Sequence, residues 1–141
     1  SRRACLCRHR AMTLRVDILA ALQASMDAVV PGRVFRCRRY DLDLLPAIVV
    51  LPRSEVLSAE VLGVQDHVLS VDVDLYLSSE AEAESAGDAL LADVLRQLHV
   101  DATLGLGPDV QVLPTSSVAW DFERSSSTQA TIGIDIQYRT Y

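Results

Sequence analysis

The chain has no lysine and no asparagine among its 141 residues, and aromatic residues make up only 5% of it. Without asparagine there is no N-x-Ser/Thr acceptor for N-glycosylation. The 13 basic residues are all arginine, a bias that reflects a GC-rich coding sequence before it reflects chemistry. The three cysteines, Cys5, Cys7 and Cys37, are odd in number, and two of them are only two residues apart. That pattern does not describe a disulfide framework and points to a reducing, cytoplasmic setting. No run approaches the roughly 20 apolar residues that a membrane helix requires. The Arg-rich opening lacks the apolar core of a secretory signal, so neither a membrane nor a secretory role is expected.

What the chain does have is a hydrophobic half dominated by Leu, Val, Ala and Ile. That is enough for one domain with a sizeable core. Charge is unevenly spread. Residues 1–40 carry nine Arg against Asp17 and Asp27, a net of +7; residues 41–141 carry four Arg against seventeen acids, a net of −13. Such asymmetry suits head-to-tail association, in which one subunit's basic side meets its neighbour's acidic side. Two independently solvated faces would give the same pattern.

Residues 1–11 read as an N-terminal extension or added segment, flexible unless a neighbour orders it, ahead of a natural start at Met12. Residues 12–141 read as a single domain. Thr13 is a candidate N-cap for a first helix whose apolar face carries Leu14, Ile18, Leu22, Met26 and Val29, and Pro31-Gly32 ends it. Arg33–Tyr40 reads as a short strand and Ala47–Leu51 as a buried central strand. Residues 53–66 read as a long loop or a protruding hairpin. His67–Leu77 alternates cleanly, with Leu69, Val71, Val73, Leu75 and Leu77 on one face. Val68, Ser70, Asp72, Asp74 and Tyr76 form the other, which is expected to be wet. A second helix spans Ser79–Val100, with Ser79 as cap, Glu80, Glu82 and Glu84 in its first turns, and Gly87, Leu90, Leu91, Val94, Leu95 and Leu98 as its buried stripe. After the Gly105–Pro108 loop, Val110–Leu113 is a short strand. The alternating segments around Val118–Phe122 and Ala130–Tyr138 should pair as a hairpin across Ser125-Ser126-Ser127. The fold class is α/β in the α+β sense: order α-β-β-β-α-β-β-β, two helices on one face of a mostly antiparallel sheet.

No catalytic constellation emerges. His9, His67 and His99 each have a structural explanation, and the GxSxG elbow and the P-loop are missing. LGLGPDV has Val110 where a dinucleotide fingerprint needs its third glycine. Cys5, Cys7 and His9 lack a fourth ligand and zinc spacing. Asp72 and Asp74 share a strand face without a companion base or metal set, and Glu80, Glu82 and Glu84 are a helix start. The chain reads as a non-enzyme without a cofactor. Its sharpest local feature is Arg33, Arg36, Arg38 and Arg39. Phosphate contact is one use for such a cluster. However, only Phe35 and Tyr40 are near for stacking, and the sequence pI of about 4.9 disfavours a dedicated nucleic-acid binder. A protein interface or an ion-paired surface fits better.

The strings LRVDILAALQASM, GRVFRCRRYDLDLLPAIVVLP, DHVLSVDVDLYL, EAEAESAGDALLADVLRQL, DATLGLGPDV and WDFE…TIGIDIQYRTY together resemble the tail terminator family of long-tailed phages, the lambda minor tail protein U group. The resemblance covers roughly residues 12–141. It implies a hexameric ring in the virion tail, assembled in the host cytoplasm. The ring caps the tail tube, stops polymerisation of the tube protein and joins the tail to the head–neck connector. DNA would pass through it without sequence recognition. The family has no catalytic motif to carry over. On this reading the subunit-interface candidates are Arg33, Arg36, Arg38, Arg39, Asp72 and Asp74. The tube-contact candidates are Arg53, Glu55, Glu60 and Asp66. The alternatives are another neck or tail-completion protein of the same fold, or a small-ligand or nucleic-acid binding module using the Arg33–Arg39 strand.

Overall fold

The computed structural model describes residues 2–36, 46–61, 63–78, 83–115, 117–121 and 127–141. Helix α1 spans Arg2–Asp27. Strands β1 (Val34–Arg36), β2 (Ala47–Val61) and β3 (Val64–Ser78) follow, then helix α2 (Ala83–Leu98), then β4 (Val110–Val112), β5 (Ser117–Asp121) and β6 (Ser127–Thr140). The expected order of elements holds, and the sheet is mostly antiparallel. Only β1 runs parallel to its neighbour β2. The sheet path is β1-β2-β3-β6-β4, and β5 also pairs with β6. Since β3 holds one edge of β6, β4 and β5 share the other: β4 lies against Ile136–Tyr138, β5 against Gln129–Gly133.

The centre is the β3–β6 ladder, in register without a break from Gln65↔Thr140 to Ser78↔Ser127. Alternation sends Leu69, Val71, Val73 and Leu75 of β3 and Ala130, Ile132, Ile134 and Ile136 of β6 to one face, where all are buried. Ile48 and Val50 of β2 join them, and the helices close this face with Ile18, Leu22 and Met26 of α1 and Val94 and Leu98 of α2. Burying an aliphatic side chain of this size contributes about 1.5–3 kcal/mol. Helix α2 approaches closely at Gly87, where a Cβ would stand 3.0 Å from Leu77 Cδ1.

Several boundaries differ from expectation. Helix α1 starts at Arg2, so Thr13 lies inside it and caps nothing. Ser79, Glu80 and Glu82 lie outside the described residues, as do Cys37, Arg38, Arg39, Tyr40 and Phe122. The loop expected over 53–66 is ladder instead: β2 continues to Val61 and pairs with β3 around a tight turn at Gly63, whose φ of 85° is costly for other residues. The hairpin alternative describes the segment. Its Ser- and Glu-rich composition has weak strand preference. Pairing with β3, itself fixed on β6 along its whole length, overrides that preference.

The wet face of β3 also needs correction. Asp74 and Tyr76 are buried, Asp74 at 2% exposure, together with Ala47 and Val49 of β2 on that same side. Alternation alone predicts an orientation and says nothing of what lies over it. The hydroxyl of Thr131, directly across on β6, donates to Asp74 Oδ1 at 2.8 Å and offsets part of the cost of burying a carboxylate.

Candidate functional site

A β-bulge creates the main polar cluster. Between Pro52 and Ser54 the register of β2 against β3 shifts, leaving Arg53 as the extra residue. Before the bulge the even-numbered residues Ile48 and Val50 face the helices; after it the parity reverses and Glu55 stands opposite Leu69 on the helix-covered face. A carboxylate is thereby carried into a half-buried position. It is met by Arg15 from α1, whose Nη2 donates to Glu55 Oε2, with Nε 3.4 Å from Oε1. It is met also by the phenol of Tyr138, which reaches over from β6 and donates to Oε1.

His67 completes the cluster. It is the cross-strand partner of Tyr138, and the two rings stack with centroids 4.3 Å apart and planes 9° from parallel. Its Nε2 lies 2.9 Å from Thr140 Oγ1. Its Nδ1 is buried with no hydrogen-bond partner among the described residues and faces Glu55 Oε1 at 3.7 Å. Burial pushes the Tyr138 phenol up to about 12, and its hydrogen bond to Glu55 adds to the shift. The same carboxylate, by hydrogen bond first, holds the Arg15 guanidinium above its ordinary range. Chemically this is a tie: the oxygens of Glu55 bind α1 to β6 across β3.

A second cluster lies one rung away on the opposite face of the sheet. Arg139 grips Asp66 with Nε at 2.7 Å and Nη2 at 3.3 Å, which holds the Asp66 carboxyl below the usual range. The Tyr141 hydroxyl donates to Asp109 Oδ1 at 3.0 Å. His99, by contrast, is exposed and lies 2.9 Å from Thr115 Oγ1. Among the described residues no three His, Cys, Asp or Glu side chains gather as a metal site.

The residues singled out from the sequence do not form one site. Arg33 precedes the edge strand β1. Arg36 ends it opposite Val50, on the helix-covered face, whereas Asp72 and Asp74 lie on the other. Arg53 Nε stands 3.5 Å from Asp72 Oδ1, close enough for an ion pair but without hydrogen-bond geometry. Glu55 is turned inward, Asp66 is held by Arg139, and Glu60 lies on β2. Arg15, Tyr138 and Thr140 were missed. Only the parity reversal at Arg53 brings Glu55 to them, and nothing local in the sequence marks a bulge there.

Apolar groups are exposed along the sheet's lateral strands. Beyond Leu51, β2 has no outer strand partner among the described residues, and Val56 and Leu57 there are 65% and 53% exposed. On β5, Trp120 is 39% exposed. No described helix is long and apolar enough to cross a membrane. Comparison with family models gave no match, and comparison with curated proteins gave none either.

Proposed function

We propose that the chain is a structural assembly subunit of the tail terminator type, capping a phage or prophage tail tube and joining it to the head–neck connector. One observation carries this reading: beyond Leu51 the long β2–β3 hairpin has no outer strand partner among the described residues and exposes Val56 and Leu57 there. An open strand edge flanked by apolar side chains is a surface for pairing with another chain. Pro52 and the Arg53 bulge interrupt that edge, which limits uncontrolled association while leaving it usable in a defined assembly. The resembling strings add the identity of the assembly, and the opposed net charges of residues 1–40 and 41–141 suit a head-to-tail ring.

The test is the oligomeric state, by light scattering with negative-stain imaging, in the presence and absence of tail tubes. Rings on their own or at tube ends support the reading. A chain that stays monomeric at high concentration and does not bind tubes refutes it.

A further inference from the structure

Among the described residues Glu55 is an anion shared by an exposed cation and a buried group able to become one. Arg15, on α1, has a side chain 52% exposed; the His67 side chain is nine-tenths buried. The geometry points to a proton-operated catch: uptake of a proton by His67 draws Glu55 toward β3 and loosens Arg15, and with it the adjoining turn of α1, from the hairpin.

The reasoning starts from the two ring nitrogens. In the neutral ring one of them carries hydrogen, and Nε2 is already within hydrogen-bonding distance of Thr140 Oγ1. Protonation places hydrogen on both. The second then needs an acceptor, and Glu55 Oε1, 3.7 Å from Nδ1, is the one it faces. Closing that gap to an ordinary charge-assisted length of about 2.8 Å takes a carboxylate shift of roughly 1 Å. Oε1 already accepts from the Tyr138 phenol and, at 3.4 Å, from Arg15 Nε. Arg15 holds Glu55 through Nη2 on Oε2 as well as through this long Nε contact, and both weaken as the carboxylate moves to the imidazolium, because two cations on one carboxylate repel each other and the exposed guanidinium is the cheaper of the two to hydrate.

The surroundings do not oppose this. Tyr138 from β6 lies flat on the imidazole and stabilises a cation through its π face. Leu57 is the apolar β2 partner across from His67. Asp66, next in sequence, points to the opposite face and is bound by Arg139. On α1, Arg15, Val16 and Asp17 are all exposed, and the buried stripe among the described side chains begins at Ile18. The Arg15–Glu55 pair is thus the contact that Arg15 itself contributes between α1 and the hairpin, on the N-terminal side of Ile18.

Hydrogen exchange of the full chain at pH 7.5 and pH 5.5, corrected for intrinsic rates, reads the catch directly. Amides around Arg15–Ile18 should exchange roughly fivefold faster at the lower pH, the effect of releasing one exposed ion pair. His67→Gln should abolish the difference. Arg15→Ala, an exposed change that leaves the core intact, should make the segment fast at both pH values. Equal protection of the wild type at the two pH values overturns the proposal, as does a pH difference that persists in either variant.

Discussion

The Tyr138 phenol donates its hydrogen to the Glu55 carboxylate although the two residues lie on strands separated by β3. The link depends on the long Tyr side chain and on a bulge that turns Glu55 toward the helices. It makes the far end of the hairpin, the last strand and α1 one connected unit.

Alkali should undo that link. The Tyr138 phenol is pushed up to about 12, against an ordinary value of 10. Its stabilisation is therefore complete below pH 10 and is lost as the pH rises through 12, at about 2–3 kcal/mol in all. Urea unfolding at pH 9 and pH 12 measures it. Tyr138→Phe should lose about 1–2 kcal/mol at pH 7, because Glu55 forfeits a donor, and should fall less steeply between pH 10 and 12.

Acid acts at the other cluster. The Asp66 carboxyl is held below its ordinary range by Arg139, so its contribution is present above that range and is lost as the pH falls through the depressed value. Asp66→Asn should shift the urea midpoint down at pH 6, and the effect should shrink as the pH falls through the depressed value. Both groups are solvent-accessible, so the shift should be small and should shrink further in high salt.

The core should respond more strongly. Ile132 is fully buried at the centre of β6, opposite Val73 and Val118. Ile132→Ala should cost about 2–5 kcal/mol in urea unfolding, through lost burial and the cavity it leaves.

Deleting Arg53 tests the bulge. Without the extra residue the ladder runs on unshifted, Glu55 stands two positions after Pro52, and it keeps its place opposite Leu69 on the helix-covered face. The deletion should therefore leave the raised titration of Tyr138, followed by ultraviolet absorbance, in place. A variant that loses the high phenol value would show that the unbulged strand does not hold Glu55 beside Tyr138.

The sequence reveals some of these features and hides others for physical reasons. Period-2 alternation from Leu69 to Leu77 and from Ala130 to Tyr138 identified β3 and β6, because strands with one face on a helical layer must alternate. Leu22 and Met26 likewise marked the inner face of α1. The outer half of β2 stays open between loop and hairpin in the sequence, since Ser54, Glu55 and Ser58 favour no strand and are held there by pairing with β3. The burial of Asp74 was hidden as well, because alternation orients a side chain without showing what covers it. Arg15 and Tyr138 lie 123 positions apart, and only the fold makes them partners of one carboxylate.

The central proposal, a subunit that ends a growing tube, is tested most directly by measuring tube lengths. Tail tube protein should be polymerised with and without this chain and imaged by negative stain. A terminator gives tubes that stop growing and carry a ring at one end. Tubes of unchanged length distribution with bare ends, at protein concentrations well above that of the tube ends, would contradict the proposal.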